Sequence, residues 1–188
     1  MSIVFMLNRK FFFDRARLTL FDGKLLRRQV AGLAALLDYW EKHYEKGDDR
    51  WLAYVLATVH HETDRTFQPI EEYGKGRGKL YGMHDQQTGK MYYGRGFVQI
   101  TWKANYAKLS RVIGEDLVVH PEKALELGIA TKILFEGMVR GLFTGKKLGD
   151  YFNAKSDSWM TARRIVNGTD KARLISSYAL RYYEAISY

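Results

Sequence analysis

The stretch Asp49-Arg50-Trp51-Leu52-Ala53-Tyr54-Val55-Leu56-Ala57-Thr58-Val59-His60-His61-Glu62-Thr63 decides how this chain is read. Trp51, Leu52, Val55, Leu56 and Val59 recur at three- and four-residue steps, the period of a helix with one apolar face. Glu62 ends that period, at or near the C-terminal end of the buried face. A partly apolar surrounding is therefore expected for its carboxyl group, an environment that suits a proton donor.

Upstream, Leu26, Val30, Leu33, Leu36, Leu37 and Trp40 give a second amphipathic helix over 25–44, and Gly47-Asp48-Asp49 separates the two. Downstream the period breaks. Pro69 and glycines at 74, 76, 78, 82, 89, 94 and 96 predict a long loop over 65–96, with one short hairpin around Gln87-Thr88-Gly89. Its tyrosines at 73, 81, 92 and 93 argue for an ordered cleft wall. Helical patterns return over 102–113, over 121–138 with a break at Gly128, and over 148–152, 158–166 and 171–186. The expected fold is mainly α: a lysozyme-like, two-lobed helical domain about a cleft, with at most a small β-hairpin. Residues 1–188 form one catalytic domain, with an N-terminal helical segment at 1–48 and a core at 49–188. No repeat, low-complexity tract or linker marks an added binding module.

With 188 residues, 46% hydrophobic, the chain can bury a sizeable core. Cysteine is absent, which removes disulfides, thiolate catalysis and thiolate metal sites. His61-Glu62 lacks the second histidine of the zinc-protease pattern, since that position is Arg65, and His43, His60, His84 and His120 have no ligand spacing. No metal and no cofactor is expected. No apolar run approaches a membrane span, and Met1 to Phe13 lacks the order of a secretory signal. The net charge of +9 favours a polyanionic partner: nucleic acid, an anionic membrane face or an acidic wall polymer.

Two acids, Glu62 at a helix end and a loop glutamate about ten residues on, suggest glycosidic bond cleavage. One carboxyl protonates the leaving oxygen while the other, across the sugar, activates water or attacks the anomeric carbon. For the second acid Glu71 and Glu72 stand side by side, and extended backbone turns only one of them toward a given cleft.

The stretch Tyr92-Tyr93-Gly94-Arg95-Gly96-Phe97-Val98-Gln99-Ile100-Thr101-Trp102, followed by Asn105-Tyr106, resembles the signature of family 19 glycoside hydrolases, the plant-type chitinases and phage endolysins. His61-Glu62-Thr63 before it and Ile165-Val166-Asn167-Gly168 after it match further blocks in order, so the resemblance spans roughly 50–187. It implies an inverting hydrolysis with Glu62 as general acid and a loop glutamate as general base. Glu72, one residue before Tyr73, fits the family segment best, and Glu71 is the alternative. Thr101 would hold the attacking water, Gln99, Asn105 and Asn167 would bond the sugar's acetamido and hydroxyl groups, and Tyr93 would line the cleft. Helix capping is the competing role for Asn105 and Asn167. Arg163, Arg164 and Arg173 are each candidates for a cation beside the acid.

The resemblance admits chitin or peptidoglycan. Charge and the missing export signal favour peptidoglycan glycan strands, cut between N-acetylmuramic acid and N-acetylglucosamine by a monomeric endolysin. Such a protein would wait in the host cytoplasm for holin-dependent release, with transient contact to an anionic membrane or wall. A nucleic-acid-binding protein, suggested by aromatics among Lys and Arg over 75–108, is the alternative from another class; the reading excludes it as a partner.

Overall fold

The computed structural model describes residues 7–187, so the reading of Met1 to Phe13 lies partly outside the described residues. Among the described residues seven α-helices carry the fold: α1 (Arg9–Leu20), α2 (Arg27–His43), α3 (Asp49–Glu62), α4 (Lys103–Ile113), α5 (Leu127–Arg140), α6 (Leu148–Tyr151) and α7 (Ala172–Ile186). Local chemistry sets their ends. Asn8 Oδ1 accepts from Phe11 N at 3.0 Å and Asp48 Oδ1 from Arg50 N at 3.0 Å, capping α1 and α3. Gly114 and Gly141 end α4 and α5 in the left-handed conformation open to glycine.

Helix α3 is the axis of the larger core. Residues 52–60 are buried without interruption, and α7 lies along it, with α1 against the far side of α7. Tyr182 of α7 and Phe12 of α1 stack at 6.3 Å inside this core. Helix α2 closes another side so tightly that a side chain at Gly32 would strike the Phe67 carbonyl. A second apolar cluster gathers Tyr92, Ile100, Tyr106, Leu109, Ile113, Leu117, Ala124 and Ile133 about α4. Val98 and Phe143 pack against both clusters, so the molecule has two apolar centres with a shared seam. The fold is mainly helical, as the periodicities indicate.

Strand structure is sparse and differs from expectation. The hairpin expected at Gln87-Thr88-Gly89 is a turn, closed by Asp85 Oδ1 accepting from the amides of Gln87 and Thr88. Pairing instead joins distant residues, β1 (Ile70–Glu71) antiparallel to β2 (Arg95–Gly96), while β3 (Phe152–Asn153) and β4 (Ser156–Asp157) form a hairpin with no counterpart in the sequence reading. The helix expected over 121–138 breaks at Glu126 rather than Gly128, because Pro121 opens a separate 3₁₀ turn, Pro121–Leu125. The expected helix over 158–166 is reduced to the 3₁₀ turn Thr161–Ile165. No helix among the described residues is long and apolar enough to cross a membrane.

Candidate active site

Glu62 is the last residue of α3, and the chain leaves it through three non-glycine residues with positive φ: Asp64 (47°), Arg65 (64°) and Phe67 (54°). Such conformations each cost on the order of 1 kcal/mol and need a surrounding that over-determines them. Thr63 supplies part of it, its Oγ1 donating to Val59 O at 2.7 Å and accepting from Phe67 N at 3.1 Å. The wholly buried Phe67 ring supplies the rest.

The surroundings of Glu62 are charged rather than apolar. Arg163 Nη1 donates to Glu62 Oε1 at 2.5 Å, and the guanidinium is only 3% exposed. Asp170 holds the other side of that guanidinium, its carbonyl accepting from Nε at 3.2 Å and Oδ1 standing 3.6 Å from Nη2. Of the three candidate arginines it is Arg163 that meets the acid; Arg164 and Arg173 are exposed. Glu62 Oε2 has no hydrogen-bond partner among the described residues. His60, two residues earlier and buried in the core, is hydrogen-bonded to Tyr182 OH at 2.9 Å, and burial lowers its imidazole to about 3. It is neutral and packed among aromatics.

The loop acids sit on the small ladder. Glu71 faces Arg95 across β1 and β2, and Arg95 bridges in turn to Ile100. One register step on, Glu72 N donates to Gly94 O at 2.8 Å. Residues opposite each other in an antiparallel pair project to the same side, and successive residues to opposite sides. Glu71 therefore shares a face with the buried Arg95 and Ile100, and Glu72 shares the other with Gly94.

On the buried face, Arg95 lies 3.6 Å from the centre of the Tyr93 ring and donates to Met91 O and Tyr106 OH. Tyr93 OH donates to Glu71 Oε2 at 2.9 Å, and Lys75 Nζ stands 3.2 Å from Oε1. The Tyr93 hydrogen bond, then Lys75, holds the Glu71 carboxyl below its ordinary range. Tyr93, expected to line the cleft, is 5% exposed and braces Glu71 from inside; the stacked Arg95 draws its ring under cover.

On the other face, Gly94 N donates to Glu72 Oε2 at 3.1 Å and Tyr81 OH to Oε1 at 3.1 Å. The space a Gly94 side chain would fill is taken by Gln99, whose Oε1 lies 2.7 Å from that point. Gln99, Thr101 and Asn105 line one pocket of about 130 Å³ at the seam of the two apolar clusters, with Val98, Lys108, Phe143 and Val166 in its walls. Gln99 is itself oriented by donation to Ile70 O at 2.9 Å, and Asn105 by donation to Thr101 O at 2.9 Å. Asn167 follows Val166 but is exposed, its Oδ1 accepting from Gly168 N at 2.8 Å, and it does not line this pocket.

Residues 70–135, which hold both loop acids, the ladder and the pocket's amides, match the family model described as chitinase class I. This segment is similar to that of family 19 glycoside hydrolases. An acidic endochitinase of Beta vulgaris is 38% identical over 108 residues, 54% of this chain and 37% of that protein. The chain thus spans little more than a third of that curated relative. Chitinase C from Streptomyces griseus superposes with a TM-score of 0.68 at 19% identity, covering 97% of this chain and 77% of that one. A bacterial family 19 chitinase gives 0.60 at 19% identity, with 96% and 95% covered. At those identities the superpositions show the fold.

The matched segment carries two residues whose contacts the sequence reading did not foresee. Tyr81 holds Glu72, and Arg95 anchors Tyr93.

Proposed function

We propose that this chitinase-like chain hydrolyses β-1,4 bonds of an N-acetylhexosamine polymer with inversion, Glu62 acting as general acid and Glu72 as general base. The observation that carries the reading is a pair of differently held carboxylates. Glu62 is anchored through Oε1 alone, leaving Oε2 for a leaving-group oxygen, and Glu72 is tied to Gly94 beside the pocket of Gln99 and Thr101. In one step Glu62 gives its proton to the glycosidic oxygen while Glu72 takes a proton from water, which attacks the anomeric carbon from the opposite face. No covalent intermediate forms. Thr101 steadies the water, and the amides of Gln99 and Asn105 offer the donor and acceptor that an acetamido group needs; Asn167, just past Val166, binds further along the strand.

Glu71 is the second reading for the base, favoured by the buried Arg95 and Tyr93 that keep it fixed and ionised. Rates of Glu72→Gln and Glu71→Gln decide between them. The expected order is a far larger loss at Glu72, and the reverse would reassign the role.

For the substrate we favour peptidoglycan, cut at the muramic acid side in the manner of an endolysin, because a charge of +9 suits an anionic wall better than neutral chitin. The chain would act as a monomer at the wall after release from the host cytoplasm, with residues 1–48 and 49–188 working as one catalytic unit. The Beta vulgaris relative, named an endochitinase, favours chitin instead. Digestion of sacculi and of chitin oligomers, with mass spectrometry of the products, separates these: new reducing muramic acid ends support the first reading, and release of chitin fragments alone refutes it. DNA retention that survives Glu62→Gln, without any glycan turnover, would point to the nucleic-acid alternative.

A further inference from the structure

Beyond Glu72 the chain alternates glycine with cations: Gly74, Lys75, Gly76, Arg77, Gly78, Lys79. The segment is built as a series of tight turns, with Lys75 N donating to Glu72 O, Arg77 N to Gly74 O and Lys79 N to Gly76 O, each at 2.9 Å. Gly76 has φ +70° and packs on Gly82, its Cβ position 2.6 Å from the Gly82 Cα, so neither position tolerates a side chain. Tyr81 then fastens the loop to the acid through its hydroxyl and to Trp102 through an edge-on ring contact at 5.4 Å. Trp102 is held at φ 70° immediately after Thr101.

A loop so constrained sets the backbone positions from which its cations extend. Lys75 is engaged with Glu71, but the side chains of Arg77 and Lys79 are exposed and have neither an ion pair nor a hydrogen bond among the described residues. Tyr73 beside them is fully exposed. Cations on a constrained backbone, without acidic partners and linked through Tyr81 to Glu72 and to Trp102 beside Thr101, are complementary to carboxylates repeated along a polymer bound there.

We infer that loop 73–79 extends the substrate groove and that Arg77 and Lys79 bind the carboxylates of peptide stems carried on the glycan strand. The inference rests on the hydrolase reading and deepens it, since a neutral chitin chain offers this loop nothing. It makes the loop a determinant of specificity, separate from the chemistry of bond cleavage.

The test uses the full chain carrying Glu62→Gln, so that substrate survives, in co-sedimentation with intact sacculi and with sacculi stripped of their peptides by an amidase. Adding Arg77→Ala and Lys79→Ala should weaken binding to intact sacculi about tenfold at low salt. The same change should leave binding to stripped sacculi unaltered, and Arg77→Lys with Lys79→Arg should restore most of the loss. Equal weakening on both materials, or none on either, overturns the inference. An unchanged melting temperature excludes misfolding. Turnover plays no part in this readout, so failure of the hydrolase reading would appear separately, as a wild-type chain that releases no reducing ends.

Discussion

Arg163 and Glu62 are hydrogen-bonded where water hardly reaches the guanidinium, and removing either partner leaves the other buried without its main polar contact. Breaking such a pair is costly even though a well-packed apolar replacement of both would not be. Arg163→Met should lower unfolding stability by about 2–4 kcal/mol in urea titrations, and the double variant Glu62→Gln/Arg163→Met by less than the sum of the single changes. Glu62→Gln alone should abolish glycan turnover while the far-ultraviolet circular dichroism stays unchanged, and residual turnover near the wild-type rate would remove Glu62 from the chemistry. His60 makes a different prediction. Its imidazole is held near 3 in the fold against an ordinary 6.5, so the unfolded chain takes up a proton first as pH falls. Stability is then lost between about pH 6.5 and 3, with a slope approaching 1.4 kcal/mol per pH unit, and His60→Gln should flatten that slope in denaturant midpoints measured from pH 7 to 5. At this scale the sequence singled out Glu62 and left its neighbour among three arginines. Arg163 lies 101 residues away from Glu62, and nothing local separates it from Arg164. The inward turn of Tyr93 was equally hidden, because it depends on Arg95 stacking beneath the ring.

Elements whose period repeats over several turns were legible, and those that depend on distant pairing were not. Helices α2 and α3 fall within two residues of the boundaries read from their apolar spacing. The β1–β2 pair contains two residues on each side and joins positions some 25 apart, too short for alternation to show and too distant for a turn signal. Glycines there report close approach instead. Gly32→Ala should cost about 1–3 kcal/mol, measured as a fall in melting temperature, because α2 cannot retreat from the Phe67 carbonyl without uncovering the core. Gly94→Ala meets the Gln99 side chain rather than backbone, so it should leave the melting temperature nearly unchanged while displacing the amide from the pocket and lowering turnover. Equal effects of Gly94→Ala on both quantities would show that the ladder, not the amide, had been disturbed.

For the whole molecule, two apolar clusters meeting at Val98 and Phe143 explain why the pocket lies where it does: it is the unfilled part of their seam. The sequence indicated two lobes but not which residues touch both. The net charge acts at the same scale, and association with an anionic wall should weaken as ionic strength rises from 20 to 200 mM by a larger factor than association with a neutral oligosaccharide. The buttressing of α3 by α7 has a consequence for how the molecule comes into being. A ribosome emits the acid-bearing helix long before the segment that supplies both its guanidinium and its main packing partner. Until those later residues emerge, Glu62 lacks the guanidinium that holds it, and α3 lacks the helix that covers its face.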